Sequence, residues 1–174
     1  MRMLAEGGVP ILTDQVRRAD EDNPRGYFEL EAVRQLKEGN DLWLRDAPGK
    51  AVKVISALLE YLPSAYHYKI IFMERDSQET LVSQKKMLHH RGQTPALTDE
   101  EMEQQFREHL GVLKPWLARQ PNMDVLYVNY NSLVTDPEPY CDRIAEFLNL
   151  PLNQFAMRAV PDKLLYRNRF MSEA

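Results

Sequence analysis

The sequence predicts an α/β fold, a parallel sheet flanked by helices, and three stretches carry that prediction. In residues 68–88 an apolar run, Ile70, Ile71, Phe72 and Met73, ends at Glu74-Arg75, and Asp76-Ser77-Gln78-Glu79 then opens a segment of helix formers. That order reads as a buried strand, a tight turn and a helix, with Asp76 as N-cap and Glu79 closing a capping box. Residues 124–130 (DVLYVNY) are rich in aromatic and β-branched side chains and suit a second buried strand. Between the two, residues 99–120 carry Met102, Phe106, His109 or Leu110, Leu113 and Leu117 at spacings of three and four. This is one apolar helical stripe with charges opposite, and it reads as core.

The remaining elements follow in chain order. Met1, Met3, Leu4 and Ala5 before Gly7-Gly8 read as the end of an amphipathic helix with a glycine cap. Residues 9–12 suit a short strand, and residues 13–22 are charged loop or exposed helix. Asn23-Pro24-Arg25-Gly26 is a turn by its chemistry, followed by a short element over 27–36 that is helical from Glu29. Residues 40–49 form a polar connection with Trp43 and a Pro-Gly turn. Residues 50–56 (KAVKVIS) predict a strand burying Val52, Val54 and Ile55 while Lys53 points elsewhere. Residues 58–63 predict a helix ending before Pro63, and the helix opened by Asp76 is expected to run to about His90, where Arg91-Gly92 stops it. His89 and His90 in its last turn suit the negative helix end, and no third partner stands at metal-site spacing. Pro115 is expected to kink or split the helix of 99–120. After residue 130, Asp136 caps and Pro137 starts a helix whose buried face is Tyr140, Ile144 and Phe147-Leu148.

Length and composition bound the function. A chain of 174 residues is read as one domain, 1–174, with 44% hydrophobic and 28% charged residues as in soluble globular proteins. A net charge of −4 argues against nucleic-acid binding, which draws on a basic excess. One cysteine, Cys141, excludes an intrachain disulfide framework and fits a reducing compartment. No segment approaches the length of a membrane span, no apolar leader opens the chain, and no repeat is present. A cytoplasmic location is the expectation.

The strand end at Arg75 is the candidate ligand site. In open α/β sheets ligands bind outside the carboxyl ends of strands, which is where Arg75 stands. Ser83 lies about two turns along the following helix at ~3.6 residues per turn, so a hydroxyl and a guanidinium converge on one anion beside the positive helix end. A phosphate suits that pairing. Read from the residues alone, Arg75 equally pairs with a neighbouring carboxylate and Ser83 is a helix-surface filler.

An apolar strand, Arg75-Asp76, a helical turn and Ser83 eight residues after the arginine resemble the 3′-phosphate-binding segment of the sulfotransferase family. Two further stretches resemble it in the same order. Asn23-Pro24-Arg25-Gly26-Tyr27-Phe28-Glu29 is similar to a bacterial stretch reading roughly Glu-Asn-Pro-Lys/Arg-Gly-Tyr-Tyr/Phe-Glu. The strand ending at Tyr130, then Asp136-Pro137 and a helix ending Phe147-Leu148-Asn149-Leu150, is similar to the family's Tyr-Glu-Asp-Leu, Asp-Pro and Phe-Leu-Gly-Leu. Together they extend over residues 9–166.

The resemblance implies a P-loop-NTPase-like sheet and transfer of a sulfonate from 3′-phosphoadenosine-5′-phosphosulfate to a hydroxyl or amine, without a metal. By resemblance Arg75 and Ser83 hold the 3′-phosphate and Tyr130 contacts the adenine, with Asn131-Ser132 replacing the family's Glu-Asp. Lys53 falls on a lysine that contacts the sulfonate end of the donor, and Ile55 falls on a histidine base. Read on its own, Lys53 is equally an exposed strand-edge lysine. Of the acidic candidates for the base, Asp20, Glu21, Asp22, Glu29 and Glu31, Glu29 is preferred, although each reads individually as a solvated charge. Lys163, Tyr166, Arg167 and Arg169 read as a basic tail where the family covers the 3′-phosphate.

The family opens with a strand and a loop, broadly Gly-x-Pro-Arg-Ser-Gly-Thr-Ser/Thr, whose N–H groups cradle the 5′-phosphosulfate. No stretch here matches it. The opening MRMLAEGGVPI resembles the back half of the helix after that loop, so the expectation is an N-terminally truncated domain whose first, loop-bearing strand is missing and whose turnover is impaired. An exposed sheet edge would invite self-association. The acceptor, a small molecule or carbohydrate, is unspecified, its pocket being expected from residues 13–49 and 91–105. Two other readings stand beside this one: a non-catalytic nucleotide-binding or interaction module derived from the fold, and a nucleotide-kinase-like protein.

Overall fold

Two parallel strands, β1 (Tyr68–Glu74) and β2 (Met123–Asn129), form the sheet, in register from Tyr68 opposite Met123 to Glu74 opposite Asn129. Both start where the apolar, β-branched runs start, and the order strand, helix, strand gives the parallel pairing that a helical crossover allows. The computed structural model describes residues 1–14, 16–17, 19–20, 23, 26–76, 79–81 and 97–162. They form two compact units, residues 1–67 with 141–160, and residues 68–140 with Pro161 and Asp162.

In the unit of residues 68–140, Phe72 and Val128 are buried in the sheet and the Phe72 and Tyr127 rings meet at 5.5 Å between centroids. The helix Asp99–Leu117 is opened by Thr98, whose hydroxyl accepts from the Glu101 N–H while the Glu101 carboxylate accepts from the Thr98 N–H. That reciprocal cap supplies two of the partners a helix start lacks. Leu113 and Leu117 are buried, and Met102, Phe106, His109 and Leu110 are half-buried, which is the expected stripe. Lys114 on this helix ion-pairs with Glu74 and lies 5.3 Å from the Tyr127 ring centroid, tying the helix to the sheet. Pro115 neither splits nor ends the helix. It falls in the last turn, so the hydrogen bond it cannot donate is lost only two residues before the helix stops.

The strand β2 ends one residue earlier than expected. Asn129 turns out of the strand and its side chain accepts from the Ser132 N–H, which starts a helix over Tyr130–Thr135 that the sequence reading did not foresee. Of the helix opened at Asp76, residues 79–81 are described as helical, and the rest of that prediction, with Ser83, His89 and His90, lies outside the described residues.

In the unit of residues 1–67 and 141–160, the helix Arg2–Glu6 ends at Gly7-Gly8 as predicted, with Gly8 at φ +96. Gly7 is needed for space instead: a Cβ there would lie 2.8 Å from Met157 Sδ, and the Gly7 carbonyl accepts from the Asn153 N–H. Met157, wholly buried, belongs to a short helix, Gln154–Arg158, absent from the sequence reading. The helix Glu138–Leu148 buries Cys141, Ile144 and Ala145, while Tyr140, Phe147 and Leu148 are only half-buried, so its inner face is turned by about one position from the predicted one.

The two strands predicted for residues 9–12 and 50–56 reduce to one parallel bridge, Ile11 with Ala51, fixed by Leu12 N–H to Ala51 C=O and Ala51 N–H to Pro10 C=O. Residues 52–55 are not in a strand, but Val52 and Val54 still pack on a core of Val33, Leu36 and Leu58, with Lys53 between them directed away. Ile55, expected inside, is 59% exposed. The predicted helices over 29–36 and 58–63 are 3-10 helices, Glu31–Glu38 and Ser56–Tyr61, and a third, Leu42–Asp46, crosses the polar connection.

Candidate functional site

The carboxyl ends of β1 and β2 present one cluster. Because Glu74 pairs with Asn129, the next residues, Arg75 and Tyr130, leave the sheet at the same level. The guanidinium carbon of Arg75 stands 4.9 Å from the Tyr130 ring centroid, within cation–π range. Arg75 Nε donates to Glu79 Oε2 at 3.3 Å, and that carboxylate is 4% exposed. The Glu79 N–H in turn donates to Asp76 Oδ1 at 3.2 Å, the expected N-cap contact. Arg75 therefore has the carboxylate partner that the residue-level reading allowed. Its two terminal nitrogens make no hydrogen bond among the described residues. Asn131, at the place where the resemblance has glutamate, keeps its Oδ1 buried without a hydrogen-bond partner among the described residues. A half-buried guanidinium with free donors, faced by an aromatic ring at the end of parallel strands, suits an anion attached to a planar ring.

A second cluster is built on residues 13–53 by loops and 3-10 segments. Lys53 Nζ donates to Glu29 Oε1 at 3.2 Å and to the Tyr27 carbonyl at 3.2 Å, so the two residues expected to do chemistry are in direct contact. Glu29 is also paired with Arg17 Nη1 at 3.2 Å and Arg34 Nη2 at 3.4 Å. Arg17 lies over the Tyr27 ring, 3.3 Å from its centroid, and the Tyr27 hydroxyl donates to the Asp20 carboxylate, 2.7 and 2.8 Å from its two oxygens. Phe28, between Tyr27 and Glu29, has φ +53, a left-handed conformation that a bulky residue rarely adopts. The segment is held from both sides: Thr13 Oγ1 donates to the Glu29 carbonyl at 2.7 Å, and the Glu31 N–H donates to Asp14 Oδ2 at 2.6 Å. The N–H groups of Glu31 and then Val16 hold the Asp14 carboxyl below its ordinary range by hydrogen-bonding its charged form.

The structure brings Lys53 to Glu29 and Arg75 to Tyr130, residues that the sequence reading singled out one by one. That reading missed Arg17 and Arg34 as partners of Glu29, and Glu79 as the partner of Arg75. Ser83 and the basic residues Lys163, Arg167 and Arg169 lie outside the described residues. Ile55, at the histidine place, carries no ionisable group. Among the described residues no group of three or more His, Cys, Asp or Glu is arranged to hold a metal ion, and no helix is long and apolar enough to cross a membrane.

Comparison with known proteins follows the same lines. A family model described as the sulfotransferase family matches residues 14–154, which includes both clusters apart from Thr13. Among curated proteins, cytosolic sulfotransferase 17 of Arabidopsis thaliana is 32% identical over 91 residues, 46% of this chain and 26% of that protein. The match thus spans about a quarter of the length of that curated relative. No solved structure matches. With the family model covering most of its length, the chain belongs to the sulfotransferase family.

Proposed function

We propose that this sulfotransferase-family chain binds 3′-phosphoadenosine-5′-phosphosulfate through Arg75 and Tyr130 and serves transfer of its sulfonate to a hydroxyl or amine acceptor. The observation that carries the reading is the Arg75–Tyr130 pair at the strand ends, a guanidinium with unpaired terminal nitrogens beside an aromatic face. The fit is to the adenosine and 3′-phosphate half of the donor: Arg75 for the phosphate, joined by Ser83 on the family pattern, and Tyr130 for the base. The donor supplies an activated sulfonate. Lys53 is the cation assigned to the charge that develops as that group moves, and Glu29 holds Lys53 in place. The acceptor class is a carbohydrate or small molecule, and the compartment is the cytoplasm, in keeping with a single, buried cysteine.

A second reading, a nucleotide-binding module without turnover, is favoured by Glu29 itself. Its oxygens are committed to three cations, so accepting a proton from an acceptor would disrupt those pairs. No stretch of the 174 residues supplies a glycine- and serine-rich phosphosulfate loop, and turnover by this chain alone is expected to be impaired. Membership of the family leaves the nucleotide-kinase reading without support.

Calorimetric titration with adenosine 3′,5′-bisphosphate tests both readings. Binding that weakens about 100-fold in Arg75→Ala, on the scale of two charge-assisted hydrogen bonds lost, supports the nucleotide site. A folded chain that shows no binding sinks it. Sulfonate release or transfer by the wild-type chain would then separate enzyme from binding module.

A further inference from the structure

Glu79 is the one charged side chain buried among the described residues, and its carboxylate meets Arg75 at the end of β1. The Glu79 N–H donates to the Asp76 side chain at the cap, a contact that any residue but proline would provide. A carboxylate at 4% exposure is retained at a desolvation cost unless a cation meets it, and Arg75 Nε does so at 3.3 Å. This contact occupies the inner edge of the guanidinium, and the Tyr130 ring lies against it at 4.9 Å. With the inner edge and one neighbour fixed, the two terminal nitrogens form a fork whose orientation is set before any ligand arrives. Because a free arginine must give up rotamer freedom to make a bidentate contact, a pre-set one binds more tightly and more selectively.

We infer that Glu79 is a positioning residue for Arg75, and that through it the site prefers nucleotides bearing a phosphate on the ribose 3′ position. This rests on the nucleotide-binding reading above. The test compares the full chain and three variants, Glu79→Gln, Glu79→Asp and Glu79→Ala, titrated with adenosine 3′,5′-bisphosphate and, separately, with adenosine 5′-monophosphate. Circular dichroism reports whether each variant is folded. Glu79→Ala is expected to weaken the bisphosphate about tenfold, the scale of one released long side chain, while the monophosphate changes by less than about twofold. Glu79→Gln keeps an acceptor for the Arg75 Nε–H and should restore most of the preference. Glu79→Asp keeps the charge but withdraws it from reach, so it should lose the preference as alanine does, and it stands in for alanine if that variant does not fold. A wild type that prefers the bisphosphate while the alanine and aspartate variants prefer it equally, or lose both ligands in equal measure, overturns the role of Glu79 alone. A folded wild type that binds neither nucleotide overturns the nucleotide reading and this inference with it.

Discussion

At the end of β1 one guanidinium is held by one buried carboxylate and one aromatic ring, whereas around Glu29 one carboxylate is held by three cations drawn from separate segments. The two arrangements use the same interactions in opposite proportions. Arg75 keeps its two terminal nitrogens without a hydrogen bond among the described residues, and the proposed anion site rests on them. Glu29 has its charge satisfied several times over, so that cluster is built to hold Tyr27, Arg17 and Lys53 in one geometry.

If that contrast is right, removing the centre of each cluster should have different consequences. Glu29→Ala leaves Arg17 and Lys53, both part-buried, facing each other without their shared counter-charge. The expected cost is about 2 kcal/mol in urea denaturation, within the range for disrupting such a network. Arg34→Ala removes the partner that is 63% exposed and should cost about 0.5 kcal/mol or less. Equal losses for the two variants would mean that Glu29 is only one surface charge among others. Raising salt toward about 1 M should shrink the Glu29→Ala effect, while the preference proposed to act through the 4% exposed Glu79 carboxylate should persist.

The smallest expected effect is a pH dependence at the edge of the same brace. Asp14 is held below its ordinary range by N–H groups of Glu31 and Val16, so its folded-state pKa is depressed relative to the unfolded chain. Its contribution is therefore complete above the unfolded value of about 3.9 and is lost as pH falls through the folded value. The stability difference between wild type and Asp14→Asn should narrow in that acidic window and stay constant from about pH 5 to 7. A difference that widened on acidification would show that Asp14 does not brace the start of Glu31–Glu38.

How legible each region was follows from what builds it. Arg75 was readable because its strand announces itself by an apolar run that ends beside it, whereas Tyr130 was singled out by resemblance to the family's strand end. Glu79 was visible only as a capping residue; that its carboxylate faces inward depends on Arg75 folding back over one turn, which no local pattern encodes. The brace was half legible. Lys53 and Glu29 were singled out by resemblance, but Arg17 and Arg34 reach Glu29 from segments with no periodic signal. The short alternation of KAVKVIS suggested a strand; its valines do face a core, yet a single bridge at Ala51 leaves Ile55 on the surface. A pattern of period two records which side chains are buried and does not guarantee a neighbour to pair with.

The contact of Gly7 with Met157 has a consequence for how the chain is made. These residues are about 150 positions apart, and at a synthesis rate of about 5–20 residues per second the second emerges about 7–30 s after the first. Residues 68–140, which carry both described strands, are synthesised before residues 141–160, the last segment of the other unit. The helix Arg2–Glu6 therefore leaves the ribosome long before Met157 and waits with the face that will meet it uncovered. A chain interrupted after residue 140 would hold both described strands and lack the segment that packs on Gly7.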